Sequence, residues 1–150
     1  MPIPSFDSFG LLPGGIHECT IKEVEVKLAW NDERRRLTAL LQECIAVELA
    51  PRFTVLPPVV LDGSYVSKKP SPSNINLVLE LSDLSDGDKW EGQLLFLRTA
   101  ELFRCYEIEM LPGLKGLQQD FVELLQTVRP QTAFEKGLHH GHRKGVLRLT

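Results

Sequence analysis

Between residues 31 and 50 the apolar positions recur with the spacing of one helix face: Leu37, Leu40, Leu41, Cys44, Ile45 and Leu49. Asn31 stands where an N-cap belongs. Asp32 and Glu33 put negative charge in the first turn, so the pattern predicts a helix over 31–50. Arg34, Arg35 and Arg36 spread around most of a turn. A solvated face is the expectation for them, with phosphate contact as the alternative. Upstream, "HECTIKEVEVKLA" at 17–29 predicts a short helix in which Thr20 caps and Glu23, three residues on, completes a capping box. Residues 1–16 mix Pro and Gly with Ile3, Phe6, Phe9, Leu11 and Leu12, which predicts an extended arm anchored on the domain.

Past Pro51, Pro57 and Pro58 the pattern changes. "VVL" at 59–61, running into Asp62, reads as a short buried strand, and "INLVLEL" at 75–81 as a second. "SDLSDGDK" is an acidic turn. "WEGQLLFLRTAELF" at 90–103 predicts a helix whose start Gly92 weakens. "CYEIEML" at 105–111 alternates and predicts a strand. "LKGLQQDFVELLQTV" at 114–128 predicts a helix ended by Pro130. "HHGHRK" is a loop and "GVLRLT" a closing strand. The elements make one α+β domain over residues 1–150, with the strands at 59–62, 75–81 and 105–111 expected as neighbours in one mixed sheet.

Composition narrows the function classes. With Lys+Arg 17 against Asp+Glu 20 the net charge is -3, which argues against a general nucleic-acid binder but leaves room for a local basic patch. Cys19, Cys44 and Cys105 are far apart and odd in number, so buried, reduced thiols are expected rather than a disulfide framework or a zinc knuckle. No apolar stretch approaches the roughly 20 residues of a membrane span. The first residues lack a basic start and an apolar signal core, and a cytoplasmic protein without a membrane partner is expected.

The chemistry concentrates in "LDGSYVSKKPSPSNINLVLEL" at 61–81. Gly63 permits positive φ or a close backbone approach, and Ser64 adds a hydroxyl and neighbouring N–H groups suited to phosphate. Alone, the dipeptide is a common tight turn. Asn74 and Asn76 lie two apart at the start of a strand, on one face. Carboxylates there, with a third from Glu109 or Glu107, would hold magnesium and neutralise a triphosphate during in-line transfer. Amides offer oxygen lone pairs without charge. Lys68 and Lys69 are either solvated charge or contacts to a phosphate tail. Asp62 suits a turn cap. His17 has no identifiable partner. His139, His140 and His142 with Arg143 and Lys144 read as a mobile basic loop rather than a zinc site.

Gly63-Ser64, a loop of about ten residues and Asn-Ile-Asn in the next strand resemble the fingerprint of nucleotidyltransferase-fold proteins of the DNA polymerase β superfamily, with Asn-Ile-Asn replacing Asp-x-Asp. "LPGGIHECT" at 12–20, "NDERRRL" at 31–37 and "KGVLRL" at 144–149 extend the likeness to small bacterial members over nearly the whole chain. The resemblance implies a nucleotidyltransferase-like mixed sheet flanked by helices. It implies that Gly63 and Ser64, helped by Lys68 and Lys69, cradle the phosphates of a nucleoside triphosphate. Asn74, Asn76 and Glu109 would occupy the positions of the metal-binding carboxylates, leaving Glu109 as the one acid for metal. An Asp-containing form would use Mg2+ or Mn2+ to move a nucleoside monophosphate to a protein or RNA acceptor, in a toxin–antitoxin or defence setting. With Asn at both positions, natural or introduced, the chain is expected to bind no metal and to be inactive. The alternative is a pseudoenzyme module that binds nucleotide, RNA or a partner protein.

Overall fold

The computed structural model describes residues 3–113, 125–139 and 142–150. Among them, five α-helices and a five-stranded mixed sheet give an α+β fold. The strands are β1 (Gly15–Cys19), β2 (Val59–Asp62), β3 (Ile75–Glu80), β4 (Ile108–Gly113) and β5 (Gly145–Leu149), in the order β1-β5-β2-β3-β4. β1 runs parallel to β5 and β3 parallel to β4, while β2 is antiparallel to both β5 and β3. The expected neighbours β2, β3 and β4 therefore do lie side by side. β1 departs from the helix that the 17–29 pattern predicts. Extended residues 15–19 instead lie along β5, and the helix begins only after the Thr20 cap.

Alternation within the strands sorts the two faces. Leu61, Ile75, Leu77, Leu79, Ile108 and Leu147 join the main core. Helices α1 (Ile21–Leu28), α2 (Asp32–Cys44), α3 (Asp86–Phe96) and α4 (Thr99–Tyr106) bury Val24, Leu28, Leu37, Leu41, Leu95 and Leu102 in the same core. Val60, Val78 and Val146 point the other way and form a small separate cluster. The arm packs as its apolar content implies: Ile3, Leu11 and Leu12 are buried and Phe6 lies against the core.

The Thr20–Glu23 capping box forms, and Asn31 accepts from Arg34 N–H at 2.8 Å. The helix expected over 31–50 continues past α2 as a π-helical turn at Ile45–Leu49. Four expectations need correction. The acidic turn at 82–89 is partly helical, because Ser85 caps Asp88 N–H and Asp86 and Asp88 favour a helix start. The helix expected over 90–103 is two helices that meet at Leu97 and Arg98, and Gly92 is where the first leaves no room for a Cβ against Leu81. The strand expected from 105 begins at Ile108, because Leu102 and Tyr106, four apart, bury one helical face. Pro130 opens rather than closes a helix, α5 (Pro130–Lys136), since a first-turn position needs no N–H. Of the helix expected over 114–128, residues 114–124 lie outside the described residues.

Candidate functional site

β2 ends at Asp62, β3 begins at Ile75, and the register pairs Asp62 with Asn76 and Asn76 with Glu109. One residue from each of three adjacent strands thus forms a lateral row on the face of the small valine cluster. At a strand spacing of about 4.8 Å the row spans about 10 Å between its outer backbones. Asn76 in the middle is buried, Glu109 at one end is exposed, and Asp62 at the other is buried.

The chain turns sharply between Asp62 and the next element. Gly63 takes φ 91°, where a side chain is strained, and a Cβ there would lie 3.2 Å from the Asn76 side-chain nitrogen. Ser64–Val66 then forms a single 3-10 turn. Its first bond is Val66 N–H to Gly63 O at 3.0 Å, so the N–H groups of Ser64 and Tyr65 receive no acceptor from the turn itself.

Arg34 holds this loop from beneath. Its side chain is fully buried, which overturns the solvated face expected for it. The guanidinium donates to the carbonyls of Leu28, Tyr65 and Ser67 at 3.1, 2.8 and 2.5 Å, and to those of Ser64 and Lys69. It also lies over the Trp30 ring, 3.7 Å from its centroid. Burial pushes its pKa down to about 10, so it remains charged at neutral pH. Arg34 lies on the same helical face as Leu37, Thr38 and Leu41, at i+3, i+4 and i+7, and that phase was the available signal. Arg35 and Arg36 are solvent-facing as expected, paired with Asp32 and with Glu33 and Glu107.

An open cleft of about 780 Å³ lies over the row. Gly63, Ser64, Lys68, Lys69, Asn74, Asn76 and Glu109, the residues singled out from sequence, all line it. Glu107 does not. Its left-handed backbone (φ 55°) at the end of α4 turns it to Arg36, so of the two candidate acids only Glu109 faces the cleft. The arm adds Phe9, Gly10 and Leu11 to one wall, α5 adds Thr132, Glu135 and Lys136, and Arg129 and Lys144 complete it. Lys68, Lys69, Arg129, Lys136 and Lys144 outnumber Asp62, Glu109 and Glu135, so the cleft is locally cationic on an acidic chain.

Asp62 and Lys144 were underestimated by the sequence reading. Asp62 is no mere turn cap: Lys144 Nζ donates to its Oδ2 at 3.0 Å, and the two side chains are 3% and 17% exposed. Burial pushes the Asp62 carboxyl up, against the opposing pull of Lys144, the Gly63 N–H and Arg129. His17 reaches the Pro13 carbonyl at 2.7 Å, away from the cleft. His142 stands edge-on to Phe9 and 4.0 Å from Asp7 Oδ2, and His140 lies outside the described residues. Cys19 and Cys44 are buried as expected, with burial pushing their thiols up to about 11 and about 12; Cys105 is instead exposed, because α4 buries the face of Leu102 and Tyr106, and all three are free.

The row does not suit a divalent metal. Magnesium holds its ligands at about 2.0–2.1 Å and favours carboxylates. Here the two acids of the row stand at opposite ends, the amides between and beside them carry no charge, and Asp62 already has Lys144 as its counter-ion. Among the described residues no three His, Cys, Asp or Glu side chains converge on one point. An anion suits the lining better: the cleft offers the Gly63–Ser64 turn and a surround of ammonium and guanidinium charge.

Among the described residues no helix is long and apolar enough to cross a membrane. No curated protein and no solved structure matches the chain. A family model matches residues 4–150, and the chain belongs to that family, one of unknown function (DUF6932).

Proposed function

We propose that this chain is a nucleotidyltransferase-like module that holds the phosphates of a nucleoside triphosphate in the cleft and does not transfer the nucleotide. One observation carries the reading: Gly63 and Ser64 just after β2, Asn74 and Asn76 at the start of β3, and Glu109 in β4 line a single cationic cleft, with amides where transfer chemistry needs charge. The Gly63 turn and the lysines of the following loop receive phosphate oxygens. Without carboxylates at 74 and 76 no metal is held to offset the charge that develops on a transferring phosphoryl group. An Asp-containing form would act on a protein or RNA hydroxyl with Mg2+ or Mn2+. The acceptor and a toxin–antitoxin or defence setting follow from the resemblance in sequence, and the cytoplasm from composition, not from the cleft.

The test follows label from each α-labelled nucleoside triphosphate into protein, tRNA and bulk RNA, with magnesium or manganese. The chain is expected to transfer none. The Asn74→Asp, Asn76→Asp variant places two further carboxylates beside Glu109 and is expected to gain metal binding. Robust transfer by the unaltered chain would refute the reading. Neither metal binding nor transfer by the double variant would show that chemistry was lost at more than these two residues.

A further inference from the structure

We propose that the cleft binds its triphosphate without a divalent metal, the Lys144 ammonium supplying positive charge where a metal would otherwise be needed. The inference rests on the nucleotide-binding reading and departs from it in one respect: the source of the charge that meets the phosphates.

Lys144 is placed by the fold, not by chance surface contact. Its N–H donates to Gln126 O at 2.8 Å, and the next residue, Gly145, opens β5 in the interior of the sheet. A side chain at 145 would collide with the Pro13 carbonyl oxygen, so the backbone beside Lys144 is closely held by the arm and β1. From there Nζ reaches Asp62 Oδ2. An ammonium has three donors. Asp62 takes one, and among the described residues no other hydrogen bond is made by this side chain, which lines the cleft.

The amide at 76 makes this arrangement stable in charge. Asn76 is the register partner of Asp62. A carboxylate at 76 would sit directly across the ladder from Asp62, where like charges repel and a strong cation is required between them. With an amide there, the Lys144 ion pair suffices to offset Asp62, and the middle of the row carries no net negative charge to repel phosphate. The donors left on Lys144, with the Lys68, Lys69 and Arg129 charges around the cleft, can then meet phosphate oxygens directly.

The test is binding of ATP and of inorganic tripolyphosphate to the full chain by calorimetry, with magnesium and with EDTA. Affinity in EDTA should match that in magnesium within about threefold. Binding that disappears on chelation would overturn the inference and leave the nucleotide reading standing. Binding of neither ligand in either condition would overturn both. The Asp62→Asn, Lys144→Met variant exchanges a salt bridge for a neutral pair of similar size. Because the pair it removes has no net charge, weaker binding follows only if Lys144 meets the phosphates, and a loss of about tenfold or more is expected. Retained affinity would remove Lys144 from the site. Should that variant fail to melt cooperatively, Asp62→Asn alone decides: it frees the ammonium and should tighten binding in EDTA, and unchanged or weaker binding would count against the proposal.

Discussion

Removing the Arg34 guanidinium would strip the carbonyls of Leu28, Tyr65, Ser67 and Lys69 of a donor they share. A buried acceptor left unpaired costs about 1–3 kcal/mol, and three of the four, all but Leu28 at the end of α1, belong to the loop that carries Gly63 and Ser64 to the cleft. Arg34→Met is therefore expected to destabilise the protein by about 3–5 kcal/mol, a fall of roughly 10 °C in melting temperature. Arg34→Lys should recover little, because one ammonium cannot reproduce a planar fork of five donors. Thermal melting of both variants checks this, and a lysine variant that melts like the parent would show that charge alone suffices. At this scale the sequence was legible only where local geometry decides. Asn74 and Asn76 share the cleft because they are two apart at a strand start. Arg34 and Arg36 are the same residue type two positions apart in one run, and only the helical phase separates the buried one from the exposed one.

The arm and β1 make the clearest case among the elements. Ile3, Leu11 and Leu12 are buried, Lys68 N–H donates to Gly10 O at 2.9 Å, and Gly145 N–H donates to Leu12 O at 2.9 Å. The arm thus touches both the loop after Gly63 and β5. Deleting residues 1–12 removes three buried apolar side chains, on the order of 5 kcal/mol. The melting temperature should fall by roughly 10–20 °C. An unchanged melting curve would mean that the arm does not bear on stability. Capping signals at Thr20 and Asn31 placed helix starts well, since a cap is a contact among residues three apart. Helix ends and the α3–α4 break were not legible. They depend on which side chains meet the sheet, as Leu102 and Tyr106 do, and no local pattern distinguishes a continuous helix from two that turn to keep such contacts.

For the molecule as a whole, charge is unevenly distributed. The chain carries a net charge of -3, yet cations predominate in the cleft. A polyanion bound there should raise the melting temperature, by about 2.7 kcal/mol of stabilisation at a hundredfold excess over Kd. Exposed Lys68 and Lys69 are screened within about 10 Å at 0.1 M salt, so the shift produced by tripolyphosphate should shrink as salt rises. A shift indifferent to salt would place the ligand somewhere other than this cleft.

By itself the sequence determined the α+β class, the chief strands β2, β3 and β5, the capped helix starts and the candidate residues of the 61–76 loop. Each of these is written in neighbours along the chain, as a period, a cap or a short spacing. The tertiary structure alone decided that Asp62, Asn76 and Glu109 stand in one row, that Arg34 lies inside, and that Lys144 reaches Asp62 from 82 residues away. Those facts depend on strand order and register, which arise when separate elements bury their apolar faces against one another. The charge balance of the cleft depends on them in turn. Two amides at 74 and 76 are visible in the chain, but the lysine that offsets the acid beside them is placed only by the closing of the sheet.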